Sequence, residues 1–172
     1  MVPRQLLILA GGLGTRLKSE LGDLPKPMAD ICGKPLLQRQ IEVGIRHGFT
    51  RILLLTSYRS EIIEEFFGDG SAFGAHIQYA VDERPLGTAG AVLAAQELLD
   101  DRFAVCYGDT LFDIDLDRMW QAHIDSHAAI TLFLHPNDHP QDSDLVEIDS
   151  ANRVVAFHGY PHSPDLLVRN RV

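Results

Sequence analysis

Residues 6–10 (Leu-Leu-Ile-Leu-Ala) and 51–56 (Arg-Ile-Leu-Leu-Leu-Thr) are apolar runs without alternation. A strand with one face in water alternates apolar and polar side chains. A strand buried on both faces does not, and that condition belongs to parallel sheets with helices packed on each side. The two runs therefore predict central parallel strands joined by a crossover. Between them Pro35 opens a helical pattern through Leu36, Leu37, Ile41 and Ile45 that Gly48 closes, proline inside the start and glycine past the end.

The alternation continues downstream. Ser60 is placed to cap a helix over Glu61–Phe67, Ile77–Val81 reads as a strand, and Thr88 is placed to cap a helix over Ala89–Leu98. Phe103–Tyr107 reads as a strand, Leu116–His127 as a helix and Ala129–Leu134 as a further strand. A polar loop follows over 135–144. Leu145–Ile148 and Val154–Phe157 then pair as a hairpin turning at Ser150–Asn152. With no internal repeat, low-complexity tract or linker, this order predicts one three-layer α/β domain over residues 1–172.

Ligands of such sheets lie beyond the carboxyl ends of the strands. The first strand empties there into Gly11-Gly12-Leu13-Gly14-Thr15-Arg16, and closely spaced glycines let backbone N–H groups approach a phosphate. Two familiar phosphate loops fail in this register. Aligned on Gly12, a P-loop finds Lys18 and Ser19 in place but Leu17 where its second glycine is needed. The dinucleotide fingerprint begins at Gly12-Leu13-Gly14 and also ends on Leu17, and Pro25 and Pro27 interrupt the helix that should follow. Hydride transfer is thereby disfavoured.

Charge narrows the reading. The formal net charge of −9 argues against a sequence-independent grip on nucleic acid or anionic membrane. Yet the chain's lysines, Lys18, Lys26 and Lys34, all fall within 18–34, beside the glycine loop. Pro25 and Pro27 restrict the backbone around Lys26, and Arg16 adds a planar fork suited to phosphate oxygens. Together they suit a polyphosphate. No run approaches the roughly 18 apolar residues of a membrane helix, and the first residues lack a secretory pattern. Cys32 and Cys106 read as thiols in apolar surroundings, without zinc or disulfide spacing, which fits a reducing cytoplasm.

Gly-Gly-Leu-Gly-Thr-Arg-Leu (11–17) with Leu-Pro-Lys-Pro-Met-Ala-Asp-Ile-Cys-Gly-Lys-Pro-Leu-Leu (24–37) resembles the signature of the sugar-phosphate nucleotidyltransferases. Members join a nucleoside triphosphate to a sugar 1-phosphate and release pyrophosphate. Glu83-Arg84-Pro85-Leu86-Gly87-Thr88-Ala89-Gly90 is similar to the family's E-x-x-L-G-T-A-G segment, and Tyr107-Gly108-Asp109-Thr110 to its strand-terminal G-D motif. The resemblance covers nearly the whole chain. The fold it implies is a Rossmann-like sandwich of nucleotidyltransferase type with a mostly parallel central sheet.

The resemblance also implies roles. Gly11, Gly12, Gly14 and Thr15 present donors to the triphosphate, while Arg16 and Lys26 neutralise charge on the α-phosphoryl oxygens and the departing pyrophosphate. Leu9, Ala10, Gly87 and Thr88 border the base, where a side chain on Gly87 would intrude. Glu83, Pro85 and Gly108 complete the nucleotide contacts. Asp109, following a strand, is the expected Mg²⁺ ligand. Asp113, Asp115 and Asp117 read as loop and helix-start acids, with Asp115 a helix cap. The histidine pairs His123/His127 and His135/His139 read as solvated or structural, since Pro136 and Pro140 keep the second pair off one helix.

Departures cluster toward the C-terminus. Relatives carry a glutamate-lysine-proline after the strand matching Val154–Phe157, where this chain has His158-Gly159-Tyr160-Pro161. Asn170 corresponds to the sugar-contacting asparagine, followed here by Arg171. Relatives continue beyond the point matching Val172 and contribute a second metal-binding aspartate, so the chain reads as truncated. The loop His-Pro-Asn-Asp-His-Pro-Gln-Asp-Ser-Asp (135–144) and the segment His-Gly-Tyr-Pro-His (158–162) resemble those of enzymes acting on manno-configured heptose phosphates. That makes GTP with a heptose or mannose 1-phosphate the first expectation, in nucleotide-sugar and surface polysaccharide synthesis. Thymidylyl or cytidylyl transfer to glucose 1-phosphate and a non-catalytic nucleotide- or sugar-binding module stay open. So do a homo-oligomer and a fusion to a phosphatase domain.

Overall fold

The computed structural model describes residues 3–12, 21–81, 86–135 and 142–163. The chain divides into two compact units, Met1–Gln121 and Ala122–Val172. In the first, β1 (Gln5–Leu9), β2 (Arg51–Thr56), β3 (His76–Val81) and β4 (Phe103–Tyr107) form a parallel sheet in the order β3-β2-β1-β4. Leu7 lies level with Leu53 on one side and Val105 on the other.

Period-two geometry divides the apolar runs between the sheet's two faces. Leu6, Ile8, Ile52, Leu54 and Ile77 meet Leu37 and Ile41 of α1 (Leu36–Arg46), and Ile63 and Phe67 of α2 (Ser60–Phe67). Leu116 and Trp120 of α4 (Leu116–Ser126) join this cluster. Leu7, Leu53 and Leu55 face the other way, against Ala91 and Val92 of α3 (Gly87–Ala94) and Ala95 beyond it. Both faces are covered, which is why the stretches Leu6–Leu9 of β1 and Ile52–Leu55 of β2 are apolar on each side. Each fully buried leucine contributes about 1.5–3 kcal/mol of transfer free energy.

Two buried glutamines interrupt this apolar packing. Gln5, 1% exposed, donates from Nε2 to the Leu98 carbonyl at 2.8 Å and accepts from Asp100 N–H at 2.8 Å, tying down the approach to β4. Gln40, also 1% exposed, reaches the far end of the same strand.

In the second unit β5 (Leu145–Ile148) and β6 (Val154–His158) pair antiparallel, with a register shift between Glu147 and Ile148. The Asp149 carboxylate accepts from the N–H groups of Ala151 and Arg153, each at 2.9 Å, which closes the expected turn. These bonds, the Arg153 backbone one foremost, hold Asp149 below the usual carboxylate range.

The structure corrects four expectations. Residues 129–134 form no strand: their apolar content suits a sheet, but a strand exists only through a ladder, and Ile130 stands 77% exposed with no strand partner among the described residues. Ser60 is already helical rather than a cap, because Arg59 in the left-handed region (φ 56°) turns the chain before it. Thr88 likewise lies within the first turn of α3, which starts at Gly87 and gives way at Gln96–Leu98 to a 3-10 turn. Cys32 is exposed, whereas Cys106 is set against the core.

Candidate functional site

Parallel strands end together, so the first unit collects its loops at one edge. A cavity of about 410 Å³ opens there, within the range of small-molecule sites. Leu9, Ala10, Gly11 and Gly12 leave β1 into it; Leu55 and Ser57 come from β2 and beyond. Leu86, Gly87, Thr88 and Ala91 come from the start of α3, Tyr107, Gly108 and Asp109 from the end of β4, and Lys26 and Pro27 from a 3-10 turn over Lys26–Met28.

Lys26 is held by its neighbours. Pro27 and Met28 are buried, Met28 N–H donates to the Pro25 carbonyl at 2.8 Å, and Ala29 N–H to the Lys26 carbonyl at 3.1 Å. From this anchored turn Nζ donates to Asp109 Oδ2 at 2.7 Å, both side chains part-exposed. An ammonium and a carboxylate thus stand side by side at the cavity wall. The other lysine described, Lys34, turns away to Glu42 on α1 at 2.7 Å, a contact that holds the Glu42 carboxyl below its ordinary range. The cluster of lysines read from sequence therefore divides: Lys26 faces the cavity and Lys34 is a surface pair.

Gly108 allows β4 to end this close to β1. Its N–H donates to the Leu9 carbonyl at 2.9 Å, and a Cβ there would lie 2.9 Å from that oxygen and 3.0 Å from Ala10 Cα. At Gly87 no atom of the described residues outside its chain neighbours lies within 4 Å of where a Cβ would stand, so a side chain there would enter the open cavity, and the φ of +69° itself favours glycine. Ser57 Oγ donates to the Gly11 carbonyl at 2.6 Å, pinning the start of the glycine loop.

Of the expected site residues, Leu9, Ala10, Gly11, Gly12, Lys26, Gly87, Thr88, Gly108 and Asp109 line this one cavity. Gly14, Thr15, Arg16, Glu83, Pro85 and Asn170 lie outside the described residues. Leu55, Ser57 and Ala91 line the cavity but are not singled out in the sequence as site residues, and Tyr107 reads there only as a strand end and motif residue. Ser57 and Tyr107 stand at strand carboxyl ends, so the rule that found Asp109 also reaches them.

Asp109 suits a hard divalent cation. Its carboxylate is 44% exposed at a strand end, and Oδ1 has only a marginal 3.5 Å contact with Thr110 Oγ1; one carboxylate with waters and phosphate oxygens is a common Mg²⁺ environment. A second group of ligand-bearing side chains, His47, Asp115 and Asp117, lies within 4.8 Å of one another near the amino end of β1. Several of its ligand atoms are already engaged: Asp117 pairs with Arg4 through Oδ1 and with His47 Nδ1 at 2.8 Å through Oδ2, and Asp115 Oδ1 caps α4 by accepting from Arg118 N–H at 2.9 Å. The contacts with His47 and then Arg4 hold Asp117 below the usual carboxylate range. Arg4 also stands over the rings of Phe49 and Trp120 at 5.6 and 5.4 Å. In the described structure Arg4, His47 and Asp117 form an ion-pair and hydrogen-bond group, and Asp115 a helix cap beside it.

His123 Nδ1 lies 2.9 Å from Thr131 Oγ1, and His127 has a φ of 52° just past α4. His139 lies outside the described residues. In the second unit, Tyr160 N–H donates to Asp144 Oδ1 at 2.8 Å, and His158 Nε2 lies 3.6 Å from Glu147 Oε2.

Comparison with known proteins matches residues 5–170 to the family described as nucleotidyl transferase. D-glycero-alpha-D-manno-heptose 1-phosphate guanylyltransferase of Aneurinibacillus thermoaerophilus is 38% identical over 155 residues, 89% of this chain and 66% of that protein. Mannose-1-phosphate guanylyltransferase of Mycobacterium tuberculosis is 38% identical over 152 residues, 88% of this chain and 42% of that protein. Among solved structures, HddC from Yersinia pseudotuberculosis complexed with GMP-PN superposes with a TM-score of 0.72 at 33% identity, covering 90% of this chain and 68% of that one. The chain thus spans about two thirds of the heptose relative's length and less than half of the mannose relative's.

Proposed function

The chain belongs to the nucleotidyl transferase family, and from that membership we propose that it transfers a nucleoside monophosphate from a nucleoside triphosphate to a sugar 1-phosphate with release of pyrophosphate. The observation that carries the reading is the pairing of Lys26 Nζ with Asp109 Oδ2 in the cavity that Gly11 and Gly12 enter. GTP and a manno-configured heptose or mannose 1-phosphate are the proposed substrates, supported by the guanylyltransferase relatives and the neighbour bound to GMP-PN. Residues 1–172 act in this reading as one nucleotidyltransferase domain, in the synthesis of nucleotide sugars for surface polysaccharide. The free thiols of Cys32 and Cys106 fit a cytoplasmic setting.

A sugar 1-phosphate is an anionic nucleophile at neutral pH, so the site needs no general base, and its work is positioning and charge neutralisation. Backbone N–H groups of Gly11 and Gly12, with Gly14, Thr15 and the Arg16 guanidinium, cradle the triphosphate. Lys26 exchanges Asp109 for phosphate oxygens, its anchored turn holding the ammonium in place. Leu9, Ala10, Gly87 and Thr88 flank the base, with Glu83, Pro85 and Gly108 at its rim, and Asn170 contacts the sugar. Asp109 would hold Mg²⁺, and the ion would supply charge neutralisation to the phosphate oxygens. The sugar phosphate oxygen displaces pyrophosphate in line, and no covalent bond to the protein forms.

The test is pyrophosphate release in a matrix of GTP, dTTP, CTP, UTP and ATP against mannose, heptose and glucose 1-phosphates, on this chain and on any longer chain containing it. Release with GTP and a manno-configured sugar phosphate is expected, with inversion at a chiral α-phosphorus. Release confined to a pyrimidine nucleotide with glucose 1-phosphate would replace the substrate assignment, and nucleotide binding without release in every pairing would replace the enzyme by a binding module.

A further inference from the structure

Gln40 lies on α1 among Leu37, Ile41 and Val43, and is 1% exposed. Its Nε2 donates to the Tyr107 carbonyl at 2.8 Å and to the Thr110 carbonyl. Those two carbonyls bracket Gly108 and Asp109. Thr110 N–H also donates to the Tyr107 carbonyl at 3.3 Å, so residues 107–110 form a turn whose two ends one buried amide ties together. Both neighbours are acceptors, so only the NH₂ face of the amide can meet them and a flipped amide would set oxygen against oxygen. The other end, Oε1, is buried and has no hydrogen-bond partner among the described residues. An apolar side chain of the same length would fill this space and leave no orphaned oxygen. What glutamine adds is its pair of donors.

We propose that Gln40 is a positioning residue that fixes the Asp109 carboxylate by clamping the turn on which it rides. The inference rests on the reading of Asp109 as the metal-holding carboxylate. Gly108 N–H bonded to Leu9 fixes the turn against β1 from one side, and Gln40 fixes it against α1 from the other. Asp109 touches neither α1 nor Gln40 through its own side chain bonds, which go to Lys26 and Thr110. Gln40 therefore acts on it through the backbone.

Mn²⁺ affinity measured by EPR titration of the nucleotide-free chain reads this directly, alongside kcat and KM for GTP. Gln40→Met keeps the length and removes the donors, and is expected to weaken Mn²⁺ binding roughly tenfold and lower kcat by a similar factor, with KM for GTP within about twofold. Ile41→Val, a truncation at the adjacent buried position on the same helix, is expected to leave Mn²⁺ affinity unchanged. Gln40→Asn, which keeps the amide on a shorter stem, is expected to fall between and serves where Gln40→Met does not fold. Wild-type Mn²⁺ affinity in whichever Gln40 variant folds, or an equal loss in Ile41→Val, overturns the proposal. Asp109→Asn separates the two readings. If it loses Mn²⁺ binding while Gln40→Met retains it, the clamp alone fails; if it retains Mn²⁺ binding, the metal assignment fails and takes the clamp with it.

Discussion

Replacing Lys26 by methionine should move two measurements in opposite directions. In the free protein the ammonium occupies Asp109 Oδ2 at 2.7 Å, with side chains 34% and 44% exposed. At an effective dielectric near 20 the bare attraction would be about 6 kcal/mol at this separation. Partial exposure and salt reduce a pair of this kind to about 1 kcal/mol or less. A divalent cation arriving at Asp109 must displace the ammonium and tolerate its charge nearby. Lys26→Met removes both obstacles, so Mn²⁺ affinity without nucleotide should rise about fivefold, the equivalent of about 1 kcal/mol. Turnover should fall. The same ammonium is proposed to neutralise phosphate oxygens in the transition state, and removing such a group costs about 3 kcal/mol, or ~100-fold in kcat. EPR titration with Mn²⁺ and a pyrophosphate-release assay read the two arms separately. A Lys26→Met chain that binds Mn²⁺ more weakly than wild type, while keeping its melting temperature, would refute the competition argument, because the lysine would then be supporting the metal site rather than occupying it.

Three further outcomes are expected. Gly108→Ala should abolish measurable turnover and cost about 1–3 kcal/mol in urea unfolding, since its Cβ would stand 2.9 Å from the Leu9 carbonyl, where only backbone could yield. Thiol titration of the native protein at pH 8 should find Cys32 reacting fast and Cys106 only on unfolding, because burial pushes the Cys106 thiol up to about 12. Asp117→Asn should cost about 0.5–1 kcal/mol at pH 7 and nothing near pH 2, because a carboxyl held down by His47 and Arg4 stabilises the fold above its unfolded pKa and loses that contribution as pH falls through the folded one; Mn²⁺ affinity should not change.

The sequence was most legible where local chemistry and tertiary role coincide. Leu6–Ala10 and Arg51–Thr56 could be read as doubly buried strands because both faces of each run demand apolar contact, and Leu6 and Leu7 do meet different clusters. Lys26 could be singled out because its flanking prolines are a local restraint, and Asp109 because it follows a strand. Residues 129–134 misled for the converse reason: β-branched and aromatic content states what surface a segment would suit, while the ladder must come from another part of the chain. The helix caps failed at Ser60 and Thr88 because a residue before each, Arg59 at φ 56° and Gly87 at φ 69°, set the turn instead.

Gln40 was illegible for a deeper reason, which also bears on how the site is built. On an amphipathic helix a glutamine reads as a solvated position, and its acceptors lie 67 and 70 residues away. β4 is the last strand of its sheet, laddered only to β1 among the described residues, and Tyr107 at its end is 56% exposed. An edge strand carries half the hydrogen bonds of a central one, and the turn beyond it keeps a single bond to β1, from Gly108 N–H to the Leu9 carbonyl. Placing a carboxylate there needs restraint from outside the sheet. Gln5 supplies it where the chain enters β4 and Gln40 where the chain leaves, each at the cost of burying an amide. Apolar packing cannot substitute, because it holds a strand's faces and leaves its displacement along the strand axis soft. A directional bond to a backbone carbonyl fixes that coordinate, and it is along this axis that Asp109 must sit level with Lys26 and the glycines leaving β1.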